Sequence, residues 1–176
     1  LDAPEPPRAA GDQVLGDHRL PGFDPDPERI ASAVGAAVLV PVIFRPEGGS
    51  FLLTERSSRL RKHSGQVAFP GGRMDHGEGP LETALREAEE EIALDRSFVS
   101  PIGYLPAYYT GTGYRITPVV ALVAPDAPTT PNPDEVERVF ETPFSVLFDM
   151  NRYSFDTIVW EGRRRAFYTV DYPHAY

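Results

Sequence analysis

Apolar residues at Leu81, Ala84, Leu85, Ala88 and Ile92 recur at intervals of three and four, the spacing that gathers side chains on one face of a helix. The pattern predicts a helix from Pro80 to about Leu94. Upstream, the apolar runs AAVLVPVIF (Ala36–Phe44) and FLLTER (Phe51–Arg56) flank RPEGGS and predict a β-hairpin. Between hairpin and helix, residues 57–66 are polar and basic and read as loop, QVAFP as a short strand and GGRMDHGEG as a glycine-rich loop. Downstream the pattern predicts strands at about 99–109 and 114–123, a loop APDAPTTPNPD and a strand near 135–141. A short helix PFSVLFD and a hairpin around WEGRRR complete it. Residues 1–27, rich in proline and acids, read as an extended, poorly ordered arm. PERIASA, with Pro27 in a first turn, reads as a short helix. The expected architecture is one α/β domain over residues 28–176, a mixed sheet with a helix against it.

Composition narrows the function classes. The chain of 176 residues carries a net charge of -9, which disfavours nonspecific binding to nucleic acid or an anionic membrane. No apolar run approaches the roughly 18 residues that span a bilayer. No signal-peptide pattern opens the chain, although it begins at Leu1 rather than Met. The absence of cysteine removes disulfides, thiolate metal sites and cysteine nucleophiles, and fits a reducing, cytoplasmic setting. His18, His63, His76 and His174 are scattered without metal-ligand spacing.

The helix contains REAEEEIA (Arg86–Ala93), four glutamates in five positions. Like charges at such spacing repel by a few tenths of a kcal/mol, ~0.2–0.5 per pair. Relative to the apolar stripe, Glu87 and Glu91 lie one turn apart on one flank with Glu90 nearby, whereas Glu89 falls on the other flank beside Glu82. Convergent carboxylates call for a cation, and hard oxygens suit Mg²⁺ or Mn²⁺. A solvated acidic face is the alternative that helix geometry alone leaves open. Upstream, Gly71 and Gly72 belong to FPGGRMDHGEGP, a loop whose backbone N–H groups can cradle phosphate. No GxxxxGK[ST] or GxGxxG fingerprint occurs. From Glu55 to Gln66 the chain holds Arg56, Arg59, Arg61 and Lys62 against Glu55, a local +3.

Gly72, five residues, Glu78, seven residues, then Arg86, Glu87, Ala88, Glu89, Glu90, Glu91, Ile92, Ala93 and Leu94 resemble the Nudix hydrolase box, Gx5Ex7REUxEExGU. Every charged position matches; Ala93 replaces the usual glycine and Ala88 is small for an aliphatic slot. The segment LLTERSSRLRKHSGQVAFPGG is similar to the signature preceding the box in coenzyme A pyrophosphatases, through Leu52, Leu53, Thr54, Arg56, Ser57, Arg61, Gly65, Phe69, Pro70, Gly71 and Gly72. GYRITPVVAL, with Arg115, and NPDEVERVFETPFSVL also look like that branch. Enzymes of the branch usually continue past a point like DYPHAY, so a truncated C-terminus is expected.

The resemblance implies a Nudix fold, a mixed sheet sandwiched by helices (α/β/α). It implies Mg²⁺- or Mn²⁺-dependent cleavage of coenzyme A to 3′,5′-ADP and 4′-phosphopantetheine by a monomer or homodimer. Glu87 and Glu91 are then the principal metal ligands, with Glu90 a further ligand or the base. Arg86 orients the cluster through Glu78 or Glu90, and Glu135 is an alternative base from a later loop. Arg56, Arg61, Lys62, Gly71, Gly72 and Arg115 are candidate substrate contacts, the basic ones suited to the 3′-phosphate. Two other readings are a Nudix hydrolase of another nucleoside diphosphate derivative, such as ADP-ribose or a dinucleoside polyphosphate, and a non-catalytic nucleotide-binding module.

Overall fold

The computed structural model describes residues 15–23, 27–58, 65–160 and 162–171. Its centre is β2 (Val34–Arg45), where Ala36, Ala37, Leu39, Val40, Val42 and Ile43 are all buried. A nearly continuous apolar run suits a strand covered on both faces. β2 runs parallel to β8 (Tyr114–Val123) on one edge. On the other edge it pairs antiparallel first with β5 (Gly71–Arg73) and then with β3 (Gly48–Arg56). β3 in turn pairs with β4 (Val67–Ala68) and β9 (Val136–Pro143). The far edge of β8 carries β6 (Val99–Tyr104) and β7 (Tyr108–Tyr109).

The hairpin expected between residues 36 and 56 is tighter than RPEGGS implies, because Arg45 pairs with Gly48 and leaves Pro46 and Glu47 as the turn. GGR, read as loop, is a strand: Gly71, Gly72 and Arg73 pair with Val38, Ala37 and Ala36. Glycines carry little β-propensity, so the neighbouring β2 decides their conformation. The run at 99–109 divides into β6 and β7. Pro106 lies in the break, where it has no N–H to give a ladder.

α2 (Pro80–Ile92) is the helix that the periodicity predicts. Glu82 accepts the Gly79 N–H at 2.7 Å and closes the first turn. Ala84, Ala88 and Ile92 are buried in one cluster with Ala37, Leu39 and Val119; complete burial of a side chain like Ile92 contributes about 1.5–3 kcal/mol. At its other end Ala93 adopts the left-handed conformation, φ 53°. Thr130 and Asn132 donate backbone N–H groups to the Ile92 and Glu91 carbonyls, each at 2.8 Å. These bonds satisfy helix-end acceptors and hold the following loop against the helix.

The other described α-helices are short, α1 (Pro27–Ala31) and α3 (Phe144–Leu147). A separate ribbon joins β10 (Tyr153–Trp160) to β11 (Arg163–Val170). Part of the segment expected as an extended arm is seated on the domain, where β1 (Leu15–Gly16) pairs parallel with β7. Residues 1–14 and 24–26 lie outside the described residues. No described helix is long and apolar enough to cross a membrane.

Candidate functional site

Strand β5 and helix α2 meet through glycine. A Cβ on Gly71 would strike the β2 backbone, lying 2.6 Å from Val38 Cα. A Cβ on Gly72 would fall into the carboxylate of Glu87, 2.6 Å from its Oε2. The glycine pair therefore lets a strand lie flat on β2 while a carboxylate rests directly on its backbone.

Arg86 is the hub of the acidic helix. Its Nε and Nη2 donate to the two oxygens of Glu78 at 2.8 and 3.0 Å. Its Nη1 donates to Glu87 and to Glu90, both at 2.9 Å, and Nη2 also reaches the Arg73 carbonyl at 3.1 Å. One guanidinium fork thus serves three carboxylates and β5 together. Glu78 also accepts from the Asp75 N–H at 3.0 Å and Thr83 Oγ1 at 2.9 Å. These donors, led by Arg86, hold its carboxyl down at about 2.

Glu91 stands apart from that network and is only 3% exposed. It accepts the Gly71 N–H at 3.2 Å, and Arg56 Nη1 lies 3.7 Å from its Oε1. Burial pushes its carboxyl up to about 7, with the Glu87 and Glu135 charges adding to the rise and the Gly71 N–H and Arg56 opposing it. Burial likewise raises Glu87, against the pull of Arg86. Glu89 lies on the opposite flank, 3.4 Å from Arg96 Nη2; Glu82 is occupied at the Gly79 cap.

Among the described residues no three acidic or histidine side chains are already gathered as a metal cage. The donors nevertheless fit a hard divalent ion in kind. Glu91 is a buried carboxylate with one N–H partner and a distant cation, and such a group lacks compensation for its charge. Glu87 and Glu90 share one guanidinium nitrogen, so joining Glu91 around an ion exchanges arginine contacts for metal contacts.

The other sequence candidates fall in different places. The Glu135 charge acts on both Glu87 and Glu91, and its carbonyl accepts the Ser57 N–H at 2.9 Å. This bond ties the later loop to the end of β3. Arg115 is exposed on β8, opposite Gly35 and Tyr109, with no hydrogen bond or ion pair to the carboxylates among the described residues. Arg61 and Lys62 lie outside the described residues. Arg56, read from sequence as a substrate contact, is turned toward Glu91, and its Nε is buried with no hydrogen-bond partner among the described residues. Sequence reasoning missed the Arg56–Glu91 and Gly71–Glu91 contacts, since both cross between elements distant in the chain.

Comparison with known proteins supplies the family context. The NUDIX domain family model matches residues 34–160. The chain is 50% identical over 119 residues to the Escherichia coli K12 protein named "uncharacterized Nudix hydrolase NudL". The match spans 67% of this chain and 62% of that relative's length. Among solved structures, the Mycobacterium smegmatis Nudix hydrolase RenU superposes with a TM-score of 0.55 at 26% identity, covering 63% of this chain and 71% of RenU. The NUDIX domain of Shewanella oneidensis NrtR, solved with ADP ribose, shares the fold at a TM-score of 0.52 and 18% identity, covering 72% of this chain and 83% of that one.

Proposed function

The chain belongs to the Nudix family and has its fold, and on that premise we propose that it is a divalent-metal-dependent pyrophosphohydrolase acting on coenzyme A or its derivatives. The observation that carries the hydrolase reading is the junction of the glycine strand with the acidic helix. There a buried, undercompensated Glu91 shares the helix with two further carboxylates that Arg86 orients.

Glu87, Glu90 and Glu91 would hold Mg²⁺ or Mn²⁺, whose chemistry is to neutralise phosphoryl oxygens and acidify a bound water. The chain's own residues do the rest. Arg86 fixes the side chains of Glu87 and Glu90 and, through Glu78, the loop leading into the helix. Gly71 directs its N–H at Glu91, holding that carboxylate at the strand. Glu90 or Glu135 takes the proton of the attacking water. Water adds across the P–O–P linkage, so coenzyme A and one water give 3′,5′-ADP and 4′-phosphopantetheine.

The coenzyme A assignment rests on the similarity of Leu52–Gly72 to that branch's signature and on the local +3 between Glu55 and Gln66. Mass spectrometry of products from coenzyme A, its 3′-dephospho analogue, ADP-ribose and a dinucleoside polyphosphate with Mg²⁺ tests it. Preferred release of 3′,5′-ADP supports the reading; faster cleavage of ADP-ribose reassigns the substrate, and tight binding without any product removes the enzyme.

A further inference from the structure

A concavity of about 250 Å³ is lined by none of the candidate-site residues. Much of its wall comes from outside the matched residues 34–160: the segment around β1, helix α1 and strand β11. The β7–β8 turn closes it. These parts are joined by specific bonds. Asp17 accepts from Tyr108 Oη and from the Gly111 N–H, both at 2.6 Å, and the Ala166 N–H donates to the Pro21 carbonyl at 3.1 Å. Close packing demands glycine at two points. A Cβ on Gly22 would strike the Arg164 carbonyl, and one on Gly111 would strike the Phe23 ring.

The lining has a definite chemistry. His18, Arg29 and Arg165 line the cleft, and among the described residues no aspartate or glutamate lines it. The Arg165 guanidinium lies over the Phe23 ring, 5.0 Å from its centroid, which keeps the fork planar against the wall. Tyr109 adds a second aromatic surface. His18 Nδ1 is buried beside Gly16 with no hydrogen-bond partner among the described residues.

Two guanidinium groups, a histidine and aromatic walls around a space of this size fit an oxyanion carried on a small organic body. We infer that this cleft is a binding site for a small phosphate monoester, separate from the acidic helix and built largely by segments flanking the family domain.

The test uses the isotope-labelled full chain without added metal, following backbone amide resonances during titration with AMP, inorganic phosphate, adenosine and acetate. Saturable shifts of Tyr109, Gly111, Gly113 and Gly22 are expected with AMP and, more weakly, with phosphate, and none with adenosine or acetate. Arg165→Gln and Arg29→Gln each weaken AMP binding about tenfold, whereas Arg96→Gln, beside Glu89, does not. Arg29 sits on the exposed short helix, so its replacement reports on binding even if Arg165→Gln loosens the ribbon. Absence of saturable shifts, equal response to adenosine or acetate, or parent-like affinity in Arg29→Gln overturns the proposal. Shifts confined to Gly71–Arg73 and α2 also overturn it, since they place AMP at the acidic helix.

Discussion

Gly72 and Glu87 are in contact through the one position where glycine has no side chain: an added Cβ would lie 2.6 Å from Glu87 Oε2. Glu87 is simultaneously held by Arg86 at 2.9 Å. Gly72→Ala therefore pushes the carboxylate off its seat while leaving the strand pairing with Ala37 intact. Turnover is expected to fall at least about tenfold, with a stability loss of about 1–3 kcal/mol; steady-state kinetics and thermal melts check both.

The two flanks of the helix are expected to respond differently. Glu91→Gln removes the buried carboxylate and is expected to reduce both Mn²⁺ affinity and turnover by about 100-fold or more with the fold retained. Glu89→Gln, on the flank that faces Arg96, is expected to change either by less than about twofold. Calorimetric Mn²⁺ titration alongside kinetics distinguishes them, and equal losses at both positions would contradict the assignment of flanks.

Arg56 contacts the site from within and Arg61 follows it in the basic segment. Replacing both by alanine is expected to reduce kcat/KM for coenzyme A more than for its 3′-dephospho analogue, by about tenfold in the ratio. Equal reductions would assign Arg56 to holding Glu91 rather than to recognising the 3′-phosphate.

Glu78 titrates at about 2 rather than 4.5 in the folded chain. A depressed carboxyl contributes stability above its unfolded value, and the contribution fades as pH falls from about 4.5 through about 2. Glu78→Gln is accordingly expected to be less stable than the parent at pH 7, with the difference shrinking across that acid window. Denaturant unfolding at a series of pH values measures this, and a constant difference would show that its ionisation is not linked to folding.

Ala93 occupies a left-handed position at φ 53°, where a Cβ costs about 1–2 kcal/mol and glycine costs less strain but more unfolded-chain entropy. Ala93→Gly is expected to raise stability by about 0.5–1 kcal/mol and to leave turnover unchanged. Thermal melting checks the sign.

Much of the candidate site was legible because helical periodicity is a local property. The apolar stripe from Leu81 to Ile92 orients α2, and that orientation alone separates Glu89 from Glu87, Glu90 and Glu91. Arg86, four residues before Glu90, lay within reach on the same reasoning. The glycine pair signalled a close approach, although its strand character did not show. GGR has no β-forming side chains, and only the open edge of β2 makes it a strand.

Tertiary structure decided the remainder. It set Gly72 under Glu87, brought Gly71 and Arg56 to Glu91, and carried the Glu135 loop to the same end of the sheet. It also folded the segment around His18 and the ribbon bearing Arg165 around one cleft. These contacts join residues far apart in the chain, and no spacing rule encodes them. The sequence by itself determined which residues share a helix face and which chemistry they carry. Sheet order and strand register determined which of those residues meet, because a contact across a sheet depends on pairings that only the whole fold selects.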